Sequence, residues 1–221
     1  MNSLNRIPSF LLFAMFFSVI AAKITADSVR DTVFLINFEK SFLPLMYIAI
    51  GIVMAAAIHV YKRISSNRDQ ISIITYAGLI FSASLIVLVP ILSGIIIPLF
   101  YVWVEVITVI SILQFWILAG EVTNPRDAKR LFPLIGVGGS LAGISAGLSI
   151  DPFVQTFGSD KLLFLTSAFI GFSVLSAQFL RPFYHNTNVP KFESLDAPKV
   201  ASSFGPYIKH IAILMGVSAF L

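Results

Sequence analysis

Apolar residues run along this chain in blocks about as long as a bilayer is thick, and most polar residues are gathered between them. A hydrocarbon core of ~30 Å takes ~20 helical residues. Six blocks meet that length: roughly Pro8 to Arg30 or beyond, Phe42 to Tyr61, Ile71 to Leu92, Ile95 to Gly120, Leu131 to Ile150 and Leu162 to Leu180. From Gln70 to Gly120 the only formal charge is Glu105, and those 51 residues make ~77 Å of helix, enough for two crossings. Pro90, Ser93, Gly94 and Pro98 mark the reversal between them. The pattern predicts an all-α, polytopic membrane protein with a six-helix bundle over residues 1–180.

Arg6 followed by an apolar stretch ending at Ile20-Ala21-Ala22 imitates a secretory signal, but the helical pattern continues through Val29, Val33, Phe34 and Leu35, which favours one long first span. Residues 181–206 carry Pro182, Pro190, Pro198 and Pro206 among polar residues and read as a cytoplasmic linker. Residues 207–221 open another apolar run too short to cross, expected to be the truncated start of a second bundle. Six spans, a linker and a seventh start correspond to the first half of a twelve-span transporter. An interfacial stub on a six-helix protein is the other reading.

Composition agrees with lipid as the second solvent. Of 221 residues, 57% are hydrophobic and 12% charged, about half the usual globular charge content. With no Cys and three scattered His, thiolate chemistry is excluded and no metal-ligand cluster stands out. No nucleophile-base pair is evident, so neither an enzyme nor a cofactor protein is expected. The net charge of +4 is a matter of topology rather than of nucleic-acid binding. Arg6, Lys62, Arg63, Arg68, Arg126, Lys129, Arg130, Arg181, Lys191 and Lys199 fall on one side of the alternating assignment, and only Lys40 and Lys161 on the other. Positive charge is retained in the cytoplasm, which places the N-terminus there.

Candidate chemistry lies where charges enter the apolar blocks. Lys23, Asp27 and Arg30 fall at i, i+4 and i+7 on one face of the first span, with Asp31 one position round. Glu105 is ~15 Å into its own span, with no Lys or Arg within two turns. A carboxylate at that depth either meets a cation from another span or is protonated. Tyr101 and Thr108 lie within ~60° of Glu105, whereas Gln114 is on the opposite side. Lys23, Arg30, Glu105, Tyr101 and Thr108 are therefore the expected substrate-binding residues, and Asp27, Asp31 and Glu105 the expected coupling residues. Lys23 paired with Asp27, and Arg30 and Asp31 reaching for the interface, would be a purely structural use of the same charges.

Residues 136–147 are rich in Gly, but no strand precedes them and no Gly-Lys-Ser/Thr follows, which argues against a phosphate loop. Gly139, Gly143 and Gly147, four apart, instead predict a bare stripe for packing of a neighbouring span. Asn124-Pro125-Arg126-Asp127 reads as the start of a short cytoplasmic helix carrying Lys129 and Arg130. Between the second and third spans, Tyr61 to Arg68 occupies the place of the major facilitator loop signature, without its Gly and Asp.

Phe115-Trp116, Glu121-Val122-Thr123 and the stretch from Asp127-Ala128-Lys129-Arg130 through Pro133-Leu134 to Gly136-Val137-Gly138 resemble the signature around the fourth and fifth spans of the ATP/ADP translocase-like family of bacteria and plastids. Arg30-Asp31-Thr32 resembles that family's basic-Asp-Thr motif, although its exchangers usually have Lys at the place of Arg30. The resemblance implies a twelve-span fold related to the major facilitator superfamily and an ATP:ADP antiporter. It also implies a bacterial inner membrane, Arg30 as the basic residue of nucleotide transport and Glu105 as an acidic one. The expected partners are the lipid bilayer, an anionic substrate such as ATP or ADP, and a second six-helix bundle, with no nucleic acid. A carrier of another organic anion and a non-transporting membrane scaffold are the competing readings.

Overall fold

The computed structural model describes residues 6–65, 68–88, 91–123 and 125–184. Six helices fill that range: α1 (Arg6–Asn37), α2 (Leu43–Ser65), α3 (Gln70–Leu88), α4 (Ile96–Val122), α5 (Pro125–Phe157) and α6 (Leu162–Tyr184). Short 3-10 turns at Lys40–Phe42 and Ser159–Lys161 lead into α2 and α6. Each helix is long and apolar enough to cross a membrane, and no strand occurs among the described residues. The chain is thus an all-α, multi-pass membrane protein. The expected second-bundle start at 207–221 lies outside the described residues, as does the linker after Tyr184.

Two boundaries differ from the sequence expectation. α5 is one helix of 33 residues, so the short helix expected before the fifth span does not exist as a separate element. Pro133 ends nothing, because a proline inside a helix removes one backbone hydrogen bond, and apolar Leu131, Leu134 and Ile135 carry the helical period straight through it. α6 likewise passes Pro182 to reach Tyr184. A firm stop follows α5, where Gly158 takes φ +89° and its N–H donates to the Val154 carbonyl at 2.9 Å. That left-handed conformation is open to Gly at no steric cost.

α1 is the hub, packed against α4, α5 and α6; α3 lies on α6 and α4, and α2 on α4. Small residues explain the close approach: Ala22 and Ala26 of α1 meet Val104 and Ile107 of α4 and Leu163 of α6 in one buried cluster. Thr25 and Thr166 share a buried hydroxyl hydrogen bond of 2.8 Å between α1 and α6. α5 rests on α1 through Gly138 and Gly139. A Cβ on Gly139 would come within 2.6 Å of the Phe16 ring, and one on Gly138 within 3.2 Å of the Phe13 carbonyl. Gly143 is in looser contact, 3.8 Å from Ile24, and Gly147 meets nothing within 4 Å, so the close approach is confined to one end of the stripe. α2 turns Leu45, Ile48, Ile52 and Val60 outward, as a lipid-facing helix does.

Candidate functional site

The charges of α1 and α4 meet. Lys23 Nζ is 2.9 Å from Asp27 Oδ2 and 3.7 Å from Glu105 Oε1. Arg30 donates through Nε to Asp31 Oδ1 at 3.0 Å and through Nη1 to Glu105 Oε2, and Nη1 is also 3.2 Å from Asp27 Oδ1. Glu105 therefore has two cations from the first span, the first of the two outcomes open to a carboxylate at that depth. Helix periodicity makes this possible: Lys23, Asp27 and Arg30 rise along one face of α1, and α4 runs antiparallel beside it.

Depth can be read from helix rise. Arg30 is seven residues from the end of α1, ~10 Å, and Glu105 nine from the start of α4, ~14 Å, at the same end of the bundle. Both are inside a hydrocarbon layer of ~30 Å when helices of ~48 and ~40 Å cross it. Burial is graded across the cluster. The Arg30 side chain is 8% exposed, that of Glu105 20%, Asp27 25%, Lys23 28% and Asp31 50%. The network is thus closed at the Arg30 guanidinium and opens at Asp31 and, to a lesser degree, at Lys23 and Asp27. At this depth hydrocarbon would cost such charged groups several kcal/mol.

Tyr101 and Thr108 occupy other positions than Glu105 does. Tyr101 is buried, its ring lying 4.5 Å from the Arg30 guanidinium carbon and packing on Phe34. It holds the guanidinium from below by a cation–π contact. Thr108 is buried with its hydroxyl donating to the Glu105 carbonyl at 3.2 Å, turned into its own helix. Gln114 is buried away from the cluster.

Two cations and three carboxylates thus meet between the first and fourth spans. Over residues 5–175 the chain matches the family described as TLC ATP/ADP transporter. It belongs to that family. No curated protein and no solved structure matches it. Transport of nucleotides is the function this membership supports.

The transporter also contains polar contacts that sequence reasoning passed over. At the end where α2 meets α3, Asp69 caps α3, accepting from the Ser72 N–H at 3.3 Å and its hydroxyl at 3.0 Å, and pairs with Arg181 of α6 at 3.3 Å. Asp three positions before Ser at the head of an apolar run was the available signal. Gln70 donates to the Tyr61 hydroxyl at 2.8 Å, tying α3 to α2. Among the described residues no group of three or more His, Cys, Asp or Glu is arranged to hold a metal.

Proposed function

We propose that this protein exchanges ATP and ADP across a bacterial inner membrane, and that residues 1–180 are the first of two six-helix bundles in a carrier related to the major facilitator superfamily. Lys23 and Arg30 bind phosphate oxygens; Asp27, Asp31 and Glu105 are the counter-ions that hold those cations when no substrate is present. The observation carrying this reading is the ion-pair network from Lys23 to Glu105, open on one side and sunk between α1 and α4.

Exchange follows from the network's own closure. With three carboxylates for two cations, an empty site is fully paired, and an incoming phosphate displaces Asp27 or Glu105 rather than filling a vacancy. Release lets the carboxylates return, re-linking α1 to α4. The site then changes sides readily with substrate bound and poorly without it, the property that makes a carrier an antiporter. The open face of the network is the wall of the aqueous path, completed by the second bundle, and the basic ends of α2 and α5 face the cytoplasm.

Uptake of labelled ATP and ADP by liposomes holding the full-length protein, with and without nucleotide inside, tests the proposal. Stimulation by internal nucleotide is expected, together with loss of uptake in Arg30→Ala. A parent that ignores nucleotides but carries another organic anion overturns the substrate. Parent-like uptake by Lys23→Ala, Arg30→Ala and Glu105→Gln together moves the site elsewhere.

A further inference from the structure

The open side of the site continues beyond the charges along α4. Glu105, Val109, Ile112 and Trp116 succeed one another at spacings of four, three and four, so all four share one helix face. None of them is buried, whereas Val106, Ile107, Ile110, Gln114 and Phe115 on the other faces are. Trp116 is 39% exposed, the most open large side chain of α4 after Leu99 near the helix start. Eleven residues separate it from Glu105, which places the indole ~16 Å along the helix. That is about the reach of an extended nucleoside triphosphate.

The indole is also held rigidly. Phe16 of α1, Phe115 of α4 and Phe132 of α5 meet it at ring-centroid distances of 5.3, 5.3 and 5.7 Å, all edge-on. Packing from three helices fixes the plane of the ring and still leaves the side chain 39% exposed. Phe16 in turn is seven residues before Lys23, on the same face of α1. The α1/α4 seam therefore has cations at one end and a braced, partly bare aromatic ring at the other.

We propose that Trp116 is the platform on which the nucleobase stacks while Lys23 and Arg30 hold the phosphates. This rests on the nucleotide reading above and adds to it the group that recognises the base. Aromatic stacking accepts any base, so Trp116 confers preference for nucleotides over bare polyphosphates more than preference among bases.

The experiment measures inhibition of labelled ATP uptake, in the full-length protein, by unlabelled ATP and by inorganic triphosphate. Trp116→Ala is expected to weaken ATP about ten-fold and leave inorganic triphosphate unchanged, whereas Arg30→Ala weakens both. Trp116→Phe retains an aromatic face and stays close to the parent for ATP. Tryptophan emission gives a second readout that does not need the Ala variant to fold: ATP quenches the parent, inorganic triphosphate does not, and the ATP quench is lost in Trp116→Phe. If Trp116→Ala weakens both ligands equally, or neither, or if the quench survives in Trp116→Phe, the indole is a packing residue or lipid anchor and the proposal falls while the phosphate site stands. If the parent responds to no nucleotide at all, the function proposed above fails and takes this one with it.

Discussion

Arg30 on α1 and Glu105 on α4 are joined by a charge-assisted hydrogen bond across 75 positions of sequence. The same guanidinium lies over the Tyr101 ring, so three carboxylates around its fork and an aromatic face beneath fix its plane.

Arg30→Lys separates charge from geometry. A lysine keeps the positive charge but cannot donate at once to Asp31 through one nitrogen and to Glu105 through another. Arg30→Ala is expected to weaken nucleotide binding ten-fold or more, matching a charge-assisted bond of ~1.5 to 3 kcal/mol. If binding is bidentate, Arg30→Lys falls close to Ala in a nucleotide titration; a point-charge role leaves it close to the parent.

Glu105→Gln removes one counter-ion and leaves a neutral amide that is cheaper to hold within the membrane. Membrane insertion is expected to be unchanged, while the dependence of uptake on internal nucleotide weakens because the empty site no longer re-links α1 to α4 through Glu105. Counter-flow measured with loaded and unloaded liposomes distinguishes the two; unchanged dependence would remove Glu105 from the coupling role.

Gly139 and Gly147 of α5 are expected to differ sharply. Gly139→Ala puts a methyl within 2.6 Å of the Phe16 ring and forces that ring to move, costing ~1 to 3 kcal/mol. At Gly147 a methyl meets nothing within 4 Å, and the gain in helix propensity is ~1 kcal/mol. Thermal unfolding in detergent should rank Gly147→Ala at or above the parent and Gly139→Ala below it.

Asp69→Ala removes the cap of α3 and its bridge to α6 together, with an expected loss of ~1 kcal/mol. Arg181→Ala leaves the cap in place and removes a half-exposed bridge with its hydrogen bond to the Ser72 hydroxyl, together worth a few tenths to ~1 kcal/mol. Equal losses in the two variants would mean the cap contributes nothing.

Topology can be checked independently of transport. Reporters placed after Asn67 or Asn188 are expected to be cytoplasmic, and those near Asn37 or Gly158 external. Reversed accessibility at any two sites overturns the orientation.

The spans were legible because a block of apolar residues near bilayer length has few alternatives as structure; most ends moved by four residues or fewer, while α5 runs six residues earlier and seven later than expected. The charged run from Arg126 to Arg130 was misleading: read locally it is a short helix of its own, yet the packing of Gly138 and Gly139 on α1 and the apolar period on both sides of Pro133 favour a single rod. Periodicity on one helix put Lys23, Asp27 and Arg30 together, but which cation would reach Glu105 depends on the pairing of α1 with α4, a tertiary fact with no local trace. Thr108 shows what a helical wheel leaves out. It shares a face with Glu105 on a helical wheel, but a threonine in an apolar helix bonds readily to a carbonyl one turn back, as Thr108 does. Asp69 had a local signal as a cap three positions before Ser72, but its bridge to Arg181 depends on the packing of α3 against α6.

During synthesis α1 leaves the ribosome long before Glu105 is made, and it must enter the bilayer with four charges in nine residues. Within α1 alone, Lys23 reaches Asp27 at 2.9 Å, and Arg30 reaches Asp31 at 3.0 Å and Asp27 at 3.2 Å. The helix therefore arrives with zero net charge over this stretch and its ions already matched, which lowers the barrier to lateral release from the insertion machinery. Only when α4 follows does Glu105 join the group, so the surplus negative charge of the mature site is added last, after the helix that must accommodate it is in place.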